Sequence, residues 1–566
     1  MECLTIHQSD DSVRNAGLHA VKPGKVKRAC WHLPGSAPIR FLRFGFNMPG
    51  DPVYFGELHT GSGTVESASM LLVKRDGDPE ILLFGFRSYE WSDGTFILGT
   101  APDGSGFEVD AAADYDHYTL QPGESAGVDE LLFMRGNDYG LLLKTWAEKV
   151  SEKMGRRIPD HIPTGWNDWQ YYRNDKTQED ILENCDALKE LKDQGWPLEY
   201  IQIDGGYCLH LSEWSQPKPE FSMGIPAVSE YIRKAGFKFG LWFAPYIQNI
   251  NTEVVRKHPD WLLRDPEGNP VKLGESNVGA SVLIDYTVPG TLEWLKEKIS
   301  MLVNEWHVEW IKLDGPNIAF YRRGVLKDPH STVQQMLRRT LQVISESAGE
   351  ALVEGEGSMT AALGTVALHR VQTDNKTSWY QENDLNRPYA PRVYGKELIM
   401  SFLHRIWWCN HRENIVLRDY PSPHCVPSGG NKAEQLFTAN EQRVQLASAM
   451  IAPSGLLLTD PMAELIRRPE LLETARMLFP PQNGRTEVVD PFPEDGAAYP
   501  HVFALDTGKK HFLAIINWGE STREFQLPGK YADRRYRSLF FDKERRGKVI
   551  VGARSAELLE ELEERI

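Results

Sequence analysis

Two short apolar runs in the middle of the chain each lead into an aspartate. The run WIKLDG at 310–315 contains Asp314, and the run RVQTDN at 370–375 contains Asp374. An apolar, β-branched run that ends in an acid places that acid at the rim of a parallel sheet, and in a (β/α)8 barrel the chemistry takes place at this rim. Two carboxylates at neighbouring strand ends can flank one bond, which is the arrangement that glycoside cleavage requires.

The two aspartates would need different protonation states to do this chemistry. Lys312 lies two residues before Asp314, and strand alternation places both side chains on the same face. Because a neighbouring cation lowers the pKa of a carboxylate, we predict that Asp314 is ionised, as an attacking nucleophile must be. Asp374 would have to be protonated to donate to a leaving oxygen, which requires a raised pKa. The structural alternatives are an ion pair for Asp314 and a helix N-cap for Asp374.

Further side chains near the predicted strand ends could bind a sugar. A carboxylate such as Asp204, which ends the run IQID at 201–204, can accept hydrogen bonds from two adjacent hydroxyls, although a turn before two glycines also favours Asp. Tryptophan rings can stack on a sugar face, although burial in a core is the commoner fate of this residue. The predicted substrate-binding residues are Trp166, Asp204, Trp242, Lys312, Glu356 and Arg370.

The elements that must position these residues alternate between strand and helix over about three hundred residues. The predicted strands are 165–169, 200–204, 239–244, 310–314, 352–354, 369–374, 406–409 and 456–460, of which the seventh is the weakest. Amphipathic segments at 179–192, 229–235, 291–306 and 333–347 lie between them. Eight strands, most of them followed by a helix, predict a (β/α)8 barrel, and the long gap from 244 to 310 predicts an elaborated loop over the active face.

The flanks of this region have the pattern of antiparallel β structure. Short alternating runs separated by turn residues predict a β-sandwich over residues 1–150, followed by the barrel over 151–475. Alternation returns at 501–505 and 511–516, with a hairpin turn at Gly508, and predicts a small antiparallel β domain over 476–566. The charged segment 555–564 is predicted to be a terminal helix.

The composition excludes several classes of function. The 566 residues carry a formal net charge of −16 without a basic run, which argues against a nucleic-acid or anionic-membrane partner. No stretch approaches 18 apolar residues, and the first residues lack the pattern of a signal peptide. The six cysteines have no framework spacing, so we expect a reducing, cytoplasmic compartment. No metal-ligand template is matched, and neither a metal nor an organic cofactor is expected.

The order of the motifs resembles glycoside hydrolase family 36, the α-galactosidases and their relatives, which share a clan with families 27 and 31. The motifs are GWNDW at 165–169, IDGG at 203–206, GLWFAP at 240–245, KLD at 312–314 and TD at 373–374. The resemblance implies that Asp314 is the nucleophile and Asp374 the general acid/base of a retaining enzyme. It also implies a small oligosaccharide or glycoside as substrate and, by analogy with enzymes that form dimers or tetramers, a homo-oligomer.

Four positions depart from the family pattern. Gly205 replaces the second of two consecutive aspartates, and Leu313 replaces a tryptophan before the nucleophile. A cysteine-and-glycine segment after the fifth strand becomes EGS at 356–358, and Tyr246 stands where a glutamate is usual. Unpaired buried polar groups penalise a substrate whose hydroxyls do not match them. We therefore expect these changes to affect which glycoside is preferred, and the candidates are galactose and galactose-like sugars with a different hydroxyl pattern.

Three functional hypotheses follow from the sequence. The first is a retaining, exo-acting α-glycosidase that forms a covalent glycosyl-enzyme. The second is a transglycosylase of the raffinose-synthase-like type, in which Trp214, Trp379 and Tyr380 would hold the acceptor. The third is a metal-dependent lyase or isomerase barrel, in which Asp204, Glu354 and Asp374 would hold Mg²⁺ and a lysine would act as base.

Overall fold

The structure is a computed structural model of the chain. It describes residues 2–4, 13–14, 19–22, 25–45, 51–276, 279–315, 317–381, 384–425 and 434–562.

The N-terminal region consists of two antiparallel sheets that pack face to face. Their aromatic side chains meet between the sheets, where the rings of Trp31 and Phe84 lie 5.0 Å apart. The first sheet contains Glu2–Leu4, Leu131–Gly136, Ile81–Phe86, Met70–Arg75, Ile39–Arg43 and Tyr54–Leu58. The second contains Val13–Arg14, Lys25–Pro34, Gly106–Asp114, Thr95–Thr100 and Val65–Ala68, with His19–Lys22 paired to Lys25–Pro34. The predicted sandwich is therefore confirmed.

The helix Tyr139–Met154 connects this sandwich to the barrel. It begins at Asp138, whose side chain accepts a hydrogen bond from the Leu141 amide at 2.9 Å. The ring of Trp146 packs 5.3 Å from that of Trp407, a barrel residue whose indole N–H donates to the Ala147 carbonyl. The helix thus contacts both the sandwich and the barrel through one apolar face.

Eight parallel strands form the barrel. In chain order they are Thr164–Asn167, Tyr200–Ile203, Lys238–Phe243, Val308–Leu313, Leu352–Gly355, Leu368–Arg370, Cys409–His411 and Leu456–Leu458. The seventh and eighth strands approach each other through a parallel bridge between His411 and Gly455, and the Gly455 amide donates to the Asn410 carbonyl at 2.8 Å. All eight predicted strands are present, although the weakly signalled seventh lies about two residues later than expected.

The helices of the barrel begin with local capping signals. Thr177, Thr332 and Thr438 each form a capping box with the acid or amide three residues later, which satisfies amides at the helix start. The outer helices are Gln178–Asp193, Ile225–Lys234, Thr291–Asn304, Val333–Ala348, Met359–Ala362, Ala390–Met400, Ala439–Ile451, Met462–Leu465 and Pro469–Arg476. Shorter helices in the loops are Trp169–Tyr172, Glu253–Lys257 and Ile318–Tyr321.

The loop after the third strand carries a small domain of its own. A three-stranded antiparallel sheet is formed by Ile247–Asn249, Gly279–Leu283 and Lys272–Ser276. The predicted elaborated loop is therefore present. A second excursion, the hairpin Tyr380–Gln381 and Asp384–Pro388, follows the sixth strand.

The C-terminal region is antiparallel β structure. One sheet contains Arg485–Val488, Val502–Asp506, His511–Asn517, Ser555–Glu561, Tyr536–Ser538 and Glu544–Arg545, and a second pairs Arg523–Gln526 with Lys548–Val551. Gly508 lies at a hairpin turn with a φ of +75°, as predicted.

The predicted helix at 555–564 is wrong. Ser555–Glu561 is a strand between His511–Asn517 and Tyr536–Ser538, and residues 563–564 lie outside the described residues. The Leu- and Glu-rich sequence favours a helix locally, but pairing with two strands from elsewhere in the chain overrides that preference.

The structure offers no candidate for a membrane span. Among the described residues, no helix combines the length and apolar character that crossing a bilayer requires.

A buried ion cluster joins the loops after the seventh and eighth strands. Arg418 is fully buried, and its guanidinium lies 2.9 Å from the Asp460 carboxylate and 2.6 Å from that of Glu434. It also donates to the Gln170 carbonyl at 3.0 Å, in the loop after the first strand. This cluster therefore ties together three loops at the point where the barrel closes.

We predict that Arg418→Leu lowers the stability of the barrel by about 3–5 kcal/mol, because it leaves two carboxylates without their buried cation. The measurement is the midpoint of thermal unfolding. Arg468→Leu is the matched control, since Arg468 makes a similar two-bond contact with Asp419 at the exposed surface, where ion pairs contribute little. Equal shifts in the two variants would contradict the prediction.

Candidate active site

Asp314 is held at the end of the fourth barrel strand. Its amide donates to the Phe243 carbonyl of the third strand at 3.0 Å, which fixes the backbone. The indole N–H of Trp242 lies 3.2 Å from the Asp314 carboxylate. The carboxylate is therefore fixed on a rigid strand end with one donor aimed at it, as a nucleophile requires.

Asp374 lies on a loop. The sixth strand ends at Arg370, so the predicted extension of this strand to 374 is wrong, and Asp374 follows four residues later. Its side chain is 55% exposed and bonds the Arg370 guanidinium at 2.8 Å. The hydroxyl of Tyr389 donates to the Asp374 carbonyl at 3.0 Å. The second acid is thus positioned by side chains of its neighbours.

Asp204 and Lys312 form a buried ion pair beside the two aspartates. The Lys312 ammonium lies 2.6 Å from Asp204, and the Asn167 amide donates to the same oxygen at 2.9 Å. Burial raises the pKa of Asp204, but the charges of Lys312 and Lys176 outweigh it and lower this pKa to about 2. Asp204 is therefore an ionised acceptor at the end of the second barrel strand.

A second buried pair supports the backbone of Asp204. Asp168 and Lys176 are fully buried and lie 2.9 Å apart. Asp168 accepts from the Asp204 amide at 2.9 Å, and Lys176 donates to the Asp204 carbonyl at 3.1 Å. The sequence analysis missed this role, although Asp168 directly follows the first strand, which is the same signal that identified Asp314.

Arg370 is shared between two carboxylates. Its guanidinium lies 2.8 Å from Glu356 and 2.8 Å from Asp374, and it is only 3% exposed. A third carboxylate, Glu413, lies 3.8 Å away and accepts hydrogen bonds from the Asn375 amide and from Gln170. Glu413 was missed because the seventh strand had the weakest signal, yet it lies two residues beyond that strand.

The pKa shifts of Asp314 and Asp374 are opposite in direction to those expected from the sequence. Burial and the charge of Asp374 raise the pKa of Asp314. Desolvation by the surrounding protein opposes ionisation of Asp374 as well, but the Arg370 charge and hydrogen bond outweigh it and lower the pKa of Asp374. The charge of Lys312 lowers the pKa of Asp314, but burial and Asp374 outweigh it, and the short contact of Lys312 is with Asp204.

Glu356 is a carboxyl group with a strongly raised pKa. Its side chain is 9% exposed, and burial raises its pKa well above the usual range although Arg370 opposes the shift. The charges of Asp314 and Asp374 add to the increase. Glu356 therefore lies in the field of both predicted catalytic acids, and its role in substrate binding stays a prediction.

Trp166 does not line the pocket as predicted. Its ring is fully buried and its indole N–H donates to the Asp460 carbonyl at 2.8 Å, so it packs within the barrel. Trp214 and Trp379, the expected acceptor aromatics of a transglycosylase, are also buried, at 2% and 1% exposure. These three rings therefore present no exposed face for a sugar.

Trp242 and Gly205 form one packed unit. A Cβ atom at Gly205 would lie 3.3 Å from the Trp242 ring, and the ring itself is 7% exposed. A larger side chain at 205 would press on the indole that bonds Asp314. The absence of a second aspartate at this strand end is therefore linked to the placement of Trp242.

The acids of the metal hypothesis do not converge. Asp204 bonds Lys312, Asp374 bonds Arg370, and Glu354 accepts from His411 and Trp310 inside the barrel. In the described part of the chain, no group of three or more His, Cys, Asp or Glu side chains could hold a metal ion.

Comparison with known sequences connects the barrel to the α-galactosidases. Residues 163–343 match the family model described as Melibiase. The α-galactosidase AgaA of Geobacillus stearothermophilus is 25% identical over 208 residues, which are 35% of this chain and 27% of that enzyme. The match therefore spans about a quarter of the length of this relative, and the family model covers the first half of the barrel.

Solved structures share the fold. A family 36 α-galactosidase from Geobacillus stearothermophilus in complex with 1-deoxygalactonojirimycin superposes with a TM-score of 0.65 at 16% identity, covering 95% of this chain and 77% of that one. The α-galactosidase of Thermus thermophilus in complex with stachyose has a TM-score of 0.61 at 19% identity, covering 82% and 96%. The order of sandwich, barrel and C-terminal β domain is that of these proteins.

We predict that Lys312→Met destabilises the protein most at neutral pH. The pKa of Asp204 is lowered from 3.8 to about 2 on folding, so its contribution is complete above pH 3.8 and is lost as the pH falls to about 2. The difference in thermal midpoint between wild type and variant should therefore shrink over this range. Lys189→Met, which breaks an exposed pair with Asp193, is the control, and a difference that does not change with pH would contradict the prediction.

Proposed function

We propose that this chain, a protein of the family 36 α-galactosidase type, is a retaining exo-acting α-glycosidase that hydrolyses a terminal α-linked galactose or a galactose-like sugar. One observation carries the proposal. Asp314 at the fourth strand end and Asp374 beyond the sixth lie at the same barrel mouth, within reach of each other's charge. Most glycoside hydrolases cleave the glycosidic bond with two carboxylic acids that flank it.

In the first step, Asp314 attacks the anomeric carbon while Asp374 protonates the departing oxygen. The Trp242 indole N–H, which lies 3.2 Å from one Asp314 oxygen, leaves the other oxygen free of that bond to attack. Binding of a sugar between the two acids removes water from both. The product of this step is a covalent glycosyl-enzyme with inverted configuration.

In the second step, Asp374 is ionised and takes a proton from a water molecule, which attacks the same carbon. The loop position of Asp374 and its 55% exposure support this role, because water must reach it. The two inversions return the α configuration. The reaction needs a proton donor, a nucleophile and water, and we assign no step to a metal or organic cofactor.

The other end of the pocket would bind the glycon. Asp204 is ionised and can accept hydrogen bonds from two adjacent hydroxyls, while Lys312 can donate to one of them. A galactose-like sugar is favoured by the relatives, whose names give α-galactosides as their substrates. Gly205 and Glu356 depart from the family pattern and change which polar groups could meet the sugar. A panel of substrates therefore tests which arrangement of sugar hydroxyls is preferred.

We further propose a cytoplasmic location. The cysteines Cys185, Cys208, Cys409 and Cys425 are free thiols, which suits a reducing compartment.

We predict that Asp314→Gly lowers the turnover of an aryl α-galactoside by a factor of about 10³ or more, because the nucleophile is absent. Added azide should restore part of the turnover and form the β-glycosyl azide, since one inversion takes place. Asp374→Gly is the matched variant, and with an activated substrate it should give the α-glycosyl azide. Undiminished activity in the Asp314 variant, or the same azide anomer from both variants, would refute the assignment.

A panel of nitrophenyl glycosides tests the identity of the sugar. It should contain the α-galactoside, α-N-acetylgalactosaminide, β-L-arabinopyranoside and α-glucoside. We expect the highest kcat/KM for the α-galactoside or for one of the two galactose-like sugars. A preference for the α-glucoside would contradict the proposed glycon.

A further inference from the structure

One guanidinium at the mouth of the barrel has two carboxyl partners. Arg370 reaches Glu356 with one nitrogen and Asp374 with the other, each at 2.8 Å. The two partners differ in their access to water, because the side chain of Glu356 is 9% exposed and that of Asp374 is 55% exposed. The shared cation therefore connects an enclosed acid to a solvent-facing one.

This arrangement conflicts with the acid step of the reaction. A general acid must hold a proton before the leaving oxygen departs, but a bound guanidinium stabilises the ionised form of Asp374. The pKa of Asp374 is lowered by Arg370, while burial raises the pKa of Glu356. Of the two acids that share Arg370, Glu356 is therefore the one whose surroundings favour the protonated form.

We propose that Glu356 and Arg370 act as a proton-exchange couple that loads Asp374 when a glycoside enters the pocket. The inference rests on the proposed glycosidase function and extends it to two residues beyond the nucleophile and the general acid. Before a glycoside binds, the proton is on Glu356 and Arg370 balances the charge of the Asp374 carboxylate. After it binds, the proton is on Asp374 and Arg370 balances the charge of the Glu356 carboxylate.

The exchange is balanced in protons and charge. The O–H bond of Glu356 breaks, its proton passes through solvent water at the pocket, and an O–H bond forms on Asp374. Arg370 keeps its proton and its contacts with both acids, and the negative charge that it balances passes from Asp374 to Glu356. The trio has the same net charge before and after, so no other charge has to enter or leave the site.

Entry of the substrate supplies the driving force. A sugar that covers Asp374 removes water from this acid, whose side chain is 55% exposed, and loss of water disfavours its ionised form. Glu356 is only 9% exposed, so a bound sugar removes less water from it than from Asp374. Once the sugar is bound, the negative charge paired with Arg370 is therefore more favourable on Glu356 than on Asp374.

The surrounding charges leave Glu356 as the partner for this exchange. Lys312 is bound to Asp204 at 2.6 Å, and Glu413 already accepts from Asn375 and lies 3.8 Å from Arg370. The titratable or charged groups that act on the trio are Asp314, Lys312, Glu354, Lys376, Tyr389 and Glu413.

Glu356→Gln tests the proposal, because a glutamine preserves the shape but cannot release a proton or carry the charge. We expect kcat/KM for a poor leaving group, such as a methyl glycoside, to fall by a factor of about 10²–10³, the usual size of an acid-catalysis term. A dinitrophenyl glycoside of the same sugar needs no proton and should lose less than about tenfold. Glu356→Asp, which keeps the carboxyl group, should restore most of the difference.

The pH profile gives a second readout. In Glu356→Gln, Arg370 remains paired with the Asp374 carboxylate, so the pKa of Asp374 stays low. The basic limb of the pH profile of kcat/KM for the poor leaving group should therefore move to lower pH. Equal losses for both leaving groups with an unmoved pH profile would show that Glu356 only shapes the pocket, and would overturn the proposal.

Infrared spectroscopy can detect the protonated carboxyl group of Glu356 directly. It therefore tests the inference independently of whether the protein hydrolyses a glycoside. Wild type at neutral pH should show a carboxylic-acid carbonyl band that is absent from Glu356→Gln, whether or not any glycoside is hydrolysed. Adding galactose to wild type should change this band as the proton moves to Asp374. If the panel of glycosides is not hydrolysed, the proposed function fails, whereas an identical band in wild type and variant overturns the role of Glu356.

Discussion

Pairing of buried charges organises the mouth of the barrel. Three cations, Lys176, Lys312 and Arg370, lie among carboxylates where water has little access, and a buried charge without a partner would cost several kcal/mol. Lys176 and Lys312 each contact one carboxylate and make Asp204 a permanently ionised group. Arg370 has two partners, so its part of the site can hold one proton in either of two places. The charge at the glycon end, on Asp204, is thus constant. At the end that faces the leaving group, the charge can be on either Glu356 or Asp374.

Much of the framework could be predicted because its signals are local. Strand runs between turn residues identified all eight barrel strands, and the threonine capping boxes lie directly in front of the helices that they start. Asp314 was identified because its role follows from its place at a strand end. Glu356 and Arg370 were identified as candidates, but their ion pair was not, since it depends on how the loop after the fifth strand approaches the sixth in space.

The errors have physical reasons. Barrel strands are buried on both faces, so alternation could not distinguish a pocket-facing tryptophan from Trp166, which packs inside. The pKa directions of Asp314 and Asp374 were reversed because burial and Asp374 outweigh Lys312 at Asp314, while Arg370 binds Asp374 and lowers its pKa. The strand Ser555–Glu561 was taken for a helix because its pairing partners lie far away in the chain.

The two catalytic candidates are anchored in different ways, and this bears on how such a pocket can diversify. Asp314 is bonded through its amide to the adjacent strand, so a change in its surroundings disturbs the barrel itself. Asp374 lies four residues beyond its strand, on a loop that leads to the hairpin Tyr380–Gln381 and Asp384–Pro388. Insertions and substitutions in that loop can accumulate without straining the sheet. Descendants of this scaffold can therefore change the group they release more readily than the sugar they recognise.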